Sequence, residues 1–153
     1  ANNSVVEKYC YNDQPSNCLN GLYQWAEAMQ YVTTEGAQGI CPNGWHIPSD
    51  ADWKLLERSL GMSVADSDAF FFRGSIAPDL RMGGSSGFDA LFVGYRPSGG
   101  AYAFINTDTF FISSTEALNG ANQIARRLSS TDAGVERLGY TKLDAYTVRC
   151  VQN

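Results

Sequence analysis

The sequence contains a single histidine, His46, no Cys-x-x-Cys pair and no long apolar run. Each absence excludes a class. Structural zinc wants four ligands, usually in closely spaced pairs, and one histidine with four separated cysteines does not supply them. The longest apolar stretches, at 90–93 and 110–112, fall far short of the roughly 20 residues of a membrane-spanning helix. Basic residues are few: 11 Lys and Arg against 16 Asp and Glu, net charge -5, pI near 4.7. A nucleic-acid partner needs a basic footprint, so no nucleic acid is expected. An anionic membrane surface is disfavoured on the same ground. No signal-peptide pattern opens the chain, and the expectation is that any leader or anchor is removed or lies outside this segment. What remains is a chain of 153 residues, 44% hydrophobic, with 8 Phe, 8 Tyr and 3 Trp. That suits one domain with a real apolar core.

The cysteines stand at 10, 18, 41 and 150. An even count with one short and one long spacing suits two disulfides, for which three connectivities exist. The favoured pairing is Cys10–Cys18, closing a turn rich in Asn, Asp and Pro, with Cys41–Cys150 tying mid-chain to the end. Four reduced, buried cysteines are the competing reading. Disulfides would place the protein outside the reducing cytosol, secreted or at the cell surface.

Along the chain, residues 4–11 read as a strand entering a turn at 12–17. Leu22, Trp25, Met29 and Val32 share one helical face, predicting a helix over about 22–33 that ends at Gly36 and Gly39. Ser49 with Asp52 resembles a capping box, predicting a second helix over about 50–60 that stops at Gly61. Residues 63–68 suit one more helical turn. Beyond residue 72 the pattern changes to glycines, at 83, 84, 87, 94, 99 and 100, and to short β-like runs at 90–95, 101–105, 110–113 and 146–151. The predicted class is α+β: two helices on a small twisted antiparallel sheet with long loops, in a single domain over 1–153.

No catalytic constellation stands out. His46, between Trp45 and Ile47, reads as a structural residue hydrogen-bonded in a turn rather than a general base. Ser113-Ser-Thr-Glu116 reads as a strand end whose hydroxyls satisfy backbone groups. The glycines at 83, 84 and 87 lack the Gly-Lys-Ser/Thr of a phosphate loop. Asp66 and Asp68 suit a helix cap better than calcium. Asn2-Asn3-Ser4 is a glycosylation sequon by pattern only. Neither a cofactor nor a metal is expected. The three tryptophans suit the core of the helical half. The aromatics at 102, 104, 110 and 111 fall in a stretch, 97–125, without any Lys or Arg. A charge-poor aromatic surface on a rigid frame is how recognition surfaces are built, although alternation into a core would claim part of this set.

Several segments together resemble one known family. They are Glu7-Lys-Tyr-Cys-Tyr-Asn12 with Asn17-Cys18, Gly21-Leu-Tyr-x-Trp-x-Glu-Ala-Met29, and Gly39-Ile-Cys-Pro-x-Gly-Trp-His-Ile-Pro-Ser-Asp-x-x-Trp53. Gly87-Phe-x-Ala-Leu91, Gly94-Tyr-Arg96, Ser113-Ser-Thr-Glu116 and Val148-Arg-Cys-Val151 follow. The combination resembles the Fibrobacter succinogenes major paralogous domain family over nearly the whole chain. That resemblance implies a C-type lectin-like fold of the branch related to formylglycine-generating enzymes, and it supports both proposed cystine pairs. The calcium-dependent sugar motifs of true C-type lectins are absent. So is the reactive cysteine pair of the formylglycine-generating enzymes, only Cys150 standing near the C-terminus.

The chain departs from the family pattern at Phe92-Val93, at Ile112 and through much of 103–145, while the scaffold segments match. Some relatives of this fold are variable proteins of diversity-generating retroelements, whose ligand-binding face is rewritten, and the pattern resembles such a face; ordinary drift competes. The resemblance thus implies a non-catalytic extracellular module for recognition or adhesion. Its partner would be a protein or glycan on another cell or surface, with no membrane insertion by this segment. The expected contact residues are Phe104, Asn106, Asp108, Ile112, Asn122, Ile124, Arg127, Glu136 and Leu138. A carbohydrate-binding or structural module of a cell-envelope assembly is the first alternative, and an enzyme of the formylglycine-generating type the second.

Overall fold

The computed structural model describes residues 5–18 and 20–153. The sequon at 2–4 lies outside them. Both expected disulfides are formed, Cys10–Cys18 and Cys41–Cys150. The second closes a separation of 109 residues, for which chain entropy alone is worth about 4–5 kcal/mol.

The fold is mixed α and β, with few helices and a multi-stranded sheet. The elements in chain order are β1 (Leu22–Gln24), α1 (Trp25–Ala28), β2 (Trp45–His46), α2 (Asp50–Ser59), α3 (Val64–Asp68), β3 (Phe71–Arg73) and α4 (Ala77–Leu80). They continue with β4 (Val93–Tyr95), β5 (Ala103–Ile105), β6 (Asp108–Phe111), β7 (Asn122–Ser129), β8 (Val135–Thr141), β9 (Ala145–Thr147) and β10 (Val151–Gln152). The main sheet has eight strands, larger than expected. Its central path runs β1-β9-β6-β7-β8-β3, with β4 and β5 attached beside β6. It is not purely antiparallel, because β6 pairs in parallel with both β4 and β9. A separate ribbon joins β10 to β2.

Helix α2 forms as predicted. The Ser49 side chain accepts from the Asp52 N–H while the Asp52 side chain takes the Ser49 N–H, a complete capping box, and Gly61 follows with a φ of 99°. Helix α3 is capped by Ser63, whose side chain accepts from the Asp66 N–H. The helix predicted over 22–33 is a correction. Its first three residues pair with β9, four residues are helical, and Gln30 and Tyr31 then turn left-handed. The segment that follows packs directly on the helix end: Ile40 donates to the Ala28 carbonyl at 2.9 Å. A Cβ on Gly39 would lie 2.2 Å from that oxygen, so only glycine fits. Of the strand predicted over 4–11, the described residues form one bridge, Tyr9 to Leu22.

Two apolar clusters flank the main sheet. Phe111, Leu128 and Val135 pack with Trp53 of α2 and with Met62, Ile76 and Leu80. Phe110 and Ile112 pack with Trp25, Met29, Ile47 and Tyr146. Adjacent residues of β6 thus enter opposite clusters, as the two-residue period of a strand requires. Trp25 and Trp53 are core residues as expected. Trp45 is not: it stands 38% exposed on the β2–β10 ribbon.

The clusters meet a buried ion network where α2 crosses the sheet. Arg126 of β7 donates to Glu57 Oε1 at 2.6 Å and to Asp50 Oδ1 at 2.8 Å. Arg73 of β3 grips both Glu57 oxygens at 2.8–2.9 Å. Arg137 of β8 does the same to Asp50 at 2.7–2.9 Å. Burial opposes Asp50 ionisation, but the hydrogen bonds and charges of Arg137 and Arg126 outweigh it and hold the carboxyl far below the ordinary range. Glu57 and Arg126 have no exposed surface. Breaking such a network strands a buried charge, which makes α2 and three strands one mechanical unit.

Candidate functional site

Strand register sorts the expected contact residues. Arg127 pairs with Phe110 on one side and Glu136 on the other; Asp108 pairs with Ser129, Leu138 with Ala125, and Phe72 with Glu136. Directly paired residues share a face, so Asp108, Arg127, Glu136 and Leu138 lie on the sheet face turned away from α2. Phe104, the middle residue of β5 in the β4–β5 hairpin, reaches the same face: its ring lies 6.5 Å from Phe110 and stacks on Tyr95 at 6.0 Å. A Cβ on Gly94 would sit 2.1 Å from the Ala103 carbonyl, so that hairpin closes only around glycine.

The centre of this face is Arg127, half-buried. Its Nε donates to Asp108 at 3.2 Å and its Nη1 to Glu136 at 3.4 Å. The guanidinium carbon lies 5.4 Å from the Phe72 ring centre, 5.8 Å from Phe104 and 5.6 Å from Phe110. Such a cation among aromatic faces is attracted by their quadrupoles. Burial alone would weaken the Arg127 charge; the hydrogen bond to Asp108 and the charges of Asp108 and Glu136 reverse that and raise its pKa. Tyr140 donates its hydroxyl to Glu136. Burial first, then that bond and the Glu136 charge, push the Tyr140 phenol up. Arg127 therefore stays cationic and Tyr140 neutral across the neutral range.

Phe104 is 49% exposed and Asn106 is also exposed. Arg127, Leu138 and Asn122 are half-buried. Asp108 and Glu136 are buried beneath Arg127 and serve as its counter-ions. Three expected contacts are corrected. Ile112 has no exposed surface and belongs to the Trp25 cluster. Ile124 is also buried, and with Asn122 it shares the opposite face of β7 with Arg126. Phe72, Tyr95 and Tyr140 complete the face and were not expected from the sequence. The alternation Glu136, Leu138, Tyr140 would have indicated one of them.

The remaining candidates settle into structural roles. His46 Nδ1 lies 2.6 Å from the Asn153 side chain and Nε2 3.2 Å from Asp52. The Ser114 hydroxyl accepts from the Gly36 N–H and Thr115 from the Asp50 N–H. Ser113 donates to the Ile124 carbonyl. Asp66 bonds its own cap, Ser63, and Asp68 holds Lys54 and Arg58.

Frame and face define a small, doubly cross-linked α-and-β domain that leaves part of one sheet face open. Over residues 1–152 the chain matches the Fibrobacter succinogenes major domain, and it belongs to that family. No curated protein and no solved structure matches it. No helix among the described residues is long and apolar enough to cross a membrane, and the two disulfides are compatible with an extracellular setting.

Proposed function

We propose that the protein is a non-catalytic extracellular recognition module of C-type lectin-like fold, and that the face around Arg127 binds a protein on another cell or surface. One observation carries this reading. Phe104 is half exposed, yet its backbone is left-handed, with φ of 63°. A bulky side chain there costs about 1–2 kcal/mol, which a glycine would avoid. Part of the ring stacks on Tyr95, and the exposed half is left for a partner. Around it stand an arginine and two further aromatic rings, the residue types that dominate protein-binding hot spots.

The frame suits this role. Its cross-links lie on other segments and its buried ion pairs on the opposite face of the same strands, so the face can change chemistry without loss of fold. If the face is diversified by a retroelement, the positions open to rewriting are Phe104, Asn106, Arg127 and Leu138, while Ile112 and Ile124 stay apolar. Template and coding repeats differing only at adenines in those codons would show it. The enzyme alternative needs a reactive cysteine near the C-terminus, and Cys150 is bonded to Cys41.

The test is binding of labelled, multimerised protein to arrayed cell-surface ectodomains and to arrayed glycans. The reading predicts an ectodomain hit that Phe104→Gly with Arg127→Lys abolishes, the planar guanidinium being lost and the charge kept, while the unfolding midpoint holds. Glycan binding alone would favour the carbohydrate alternative. A hit that survives the double substitution would move the site elsewhere.

A further inference from the structure

A second concavity lies on the α2 side, away from the Arg127 face. It is a cleft of about 310 Å³ between α2, the loop at 86–88 and the C-terminal segment around Cys150. Leu56, Phe88, Pro48 and Val151 give it mostly apolar walls. One aromatic wall and one cation border it. Trp53 lines the cleft and is 97% buried by its 3% exposure, yet its indole Nε1–H has no hydrogen-bond partner. That nitrogen is closed off from the cleft, so the ring serves as wall rather than donor. Arg149, exposed at the rim, has its guanidinium 4.6 Å above the Phe88 ring and donates to the Phe88 carbonyl. Among the described residues no carboxylate forms an ion pair with it. The acidic lining residue, Asp52, already spends Oδ2 on the Ser49 N–H at 2.8 Å, the Ser49 hydroxyl at 2.7 Å and His46 Nε2 at 3.2 Å.

We infer that this cleft binds a carboxylate attached to a small apolar group, either a free carboxylic acid or the C-terminus of a peptide ending in an apolar residue. The carboxylate takes a charge-assisted bond from Arg149 at the rim, and the Trp53 ring forms part of the wall. The apolar group fills the space between Leu56, Phe88 and Val151. The size, at the small end of ligand pockets, excludes bulky ligands.

The test is titration of the whole chain, followed by the indole N–H resonance of Trp53, assigned with Trp53→Phe. The probes are benzoate and hexanoate, their uncharged and cationic counterparts benzamide and hexylamine, and an N-acetylated dipeptide ending in Leu as free acid or amide. The expected result is a saturable shift of the Trp53 indole with the acids and not with benzamide, hexylamine or the peptide amide. Arg149→Gln should weaken binding at least about tenfold, and Val151→Phe should block it without unfolding. Tighter binding of the dipeptide acid identifies a peptide C-terminus, and tighter binding of benzoate or hexanoate a free acid. No shift with any acid, equal binding of benzamide, or unchanged affinity in Arg149→Gln overturns the inference.

Discussion

Arg126 and Arg127 are neighbours on β7 with opposite fates. Arg126 turns towards α2, has no exposed surface, and shares Asp50 and Glu57 with Arg73 and Arg137. Arg127 turns the other way into a half-open ring of aromatic side chains, with two longer ion pairs. Residue type and strand are the same; a one-residue step across the pleat assigns one charge to holding the fold and leaves the other for a partner. The lesson is that in this sheet the face, not the residue type, separates scaffold from recognition.

That contrast can be broken in order of expected effect. Replacing Cys41 and Cys150 by Ser should cost about 4–5 kcal/mol in urea unfolding, since the longest loop in the chain is released. Arg126→Ala should cost about 3–5 kcal/mol, because Glu57 then stays buried with one partner fewer. Acid should act on the same network. The Asp50 carboxyl is depressed in the folded state, so its contribution is complete above its ordinary value of 3.8 and is lost as pH falls below it. Asp50→Asn should flatten that acid limb in pH-dependent unfolding while lowering stability at neutral pH. Arg127→Lys is expected to cost about 1 kcal/mol or less, since the lysine keeps a cation over the buried Asp108 and Glu136 and the arginine is itself partly solvated. A cost equal to that of Arg126→Ala would erase the distinction.

What the sequence made legible was local chemistry. Ser49 with Asp52, Gly61 and Ser63 announced α2 and α3, and the cysteine spacing suited the bonds that form. The two longest strands, β7 and β8, were not separately legible. They carry apolar and charged residues on both faces, because arginines on one side are buried against α2 and aromatics on the other are covered in part. Strands enclosed on both sides lose the clean alternation that marks a half-buried one. The helix read from Leu22, Trp25, Met29 and Val32 failed because tertiary contacts overrode its period: β9 claims the start and the turn at Gln30 and Tyr31 ends it. Candidate contact residues were drawn from a stretch of sequence rather than a face. That is why Phe104 and Arg127 fell on the open side while Ile112 and Ile124 fell in the interior.

The most direct measurement is urea unfolding of Phe104→Gly/Arg127→Lys, which keeps a cation over the buried Asp108 and Glu136, beside Arg126→Ala. A frame independent of its open face predicts that the double variant unfolds within about 1 kcal/mol of the parent while Arg126→Ala is destabilised several times more. Comparable destabilisation of the two would contradict it, because the Arg127 side of the sheet would then be part of what holds the molecule together.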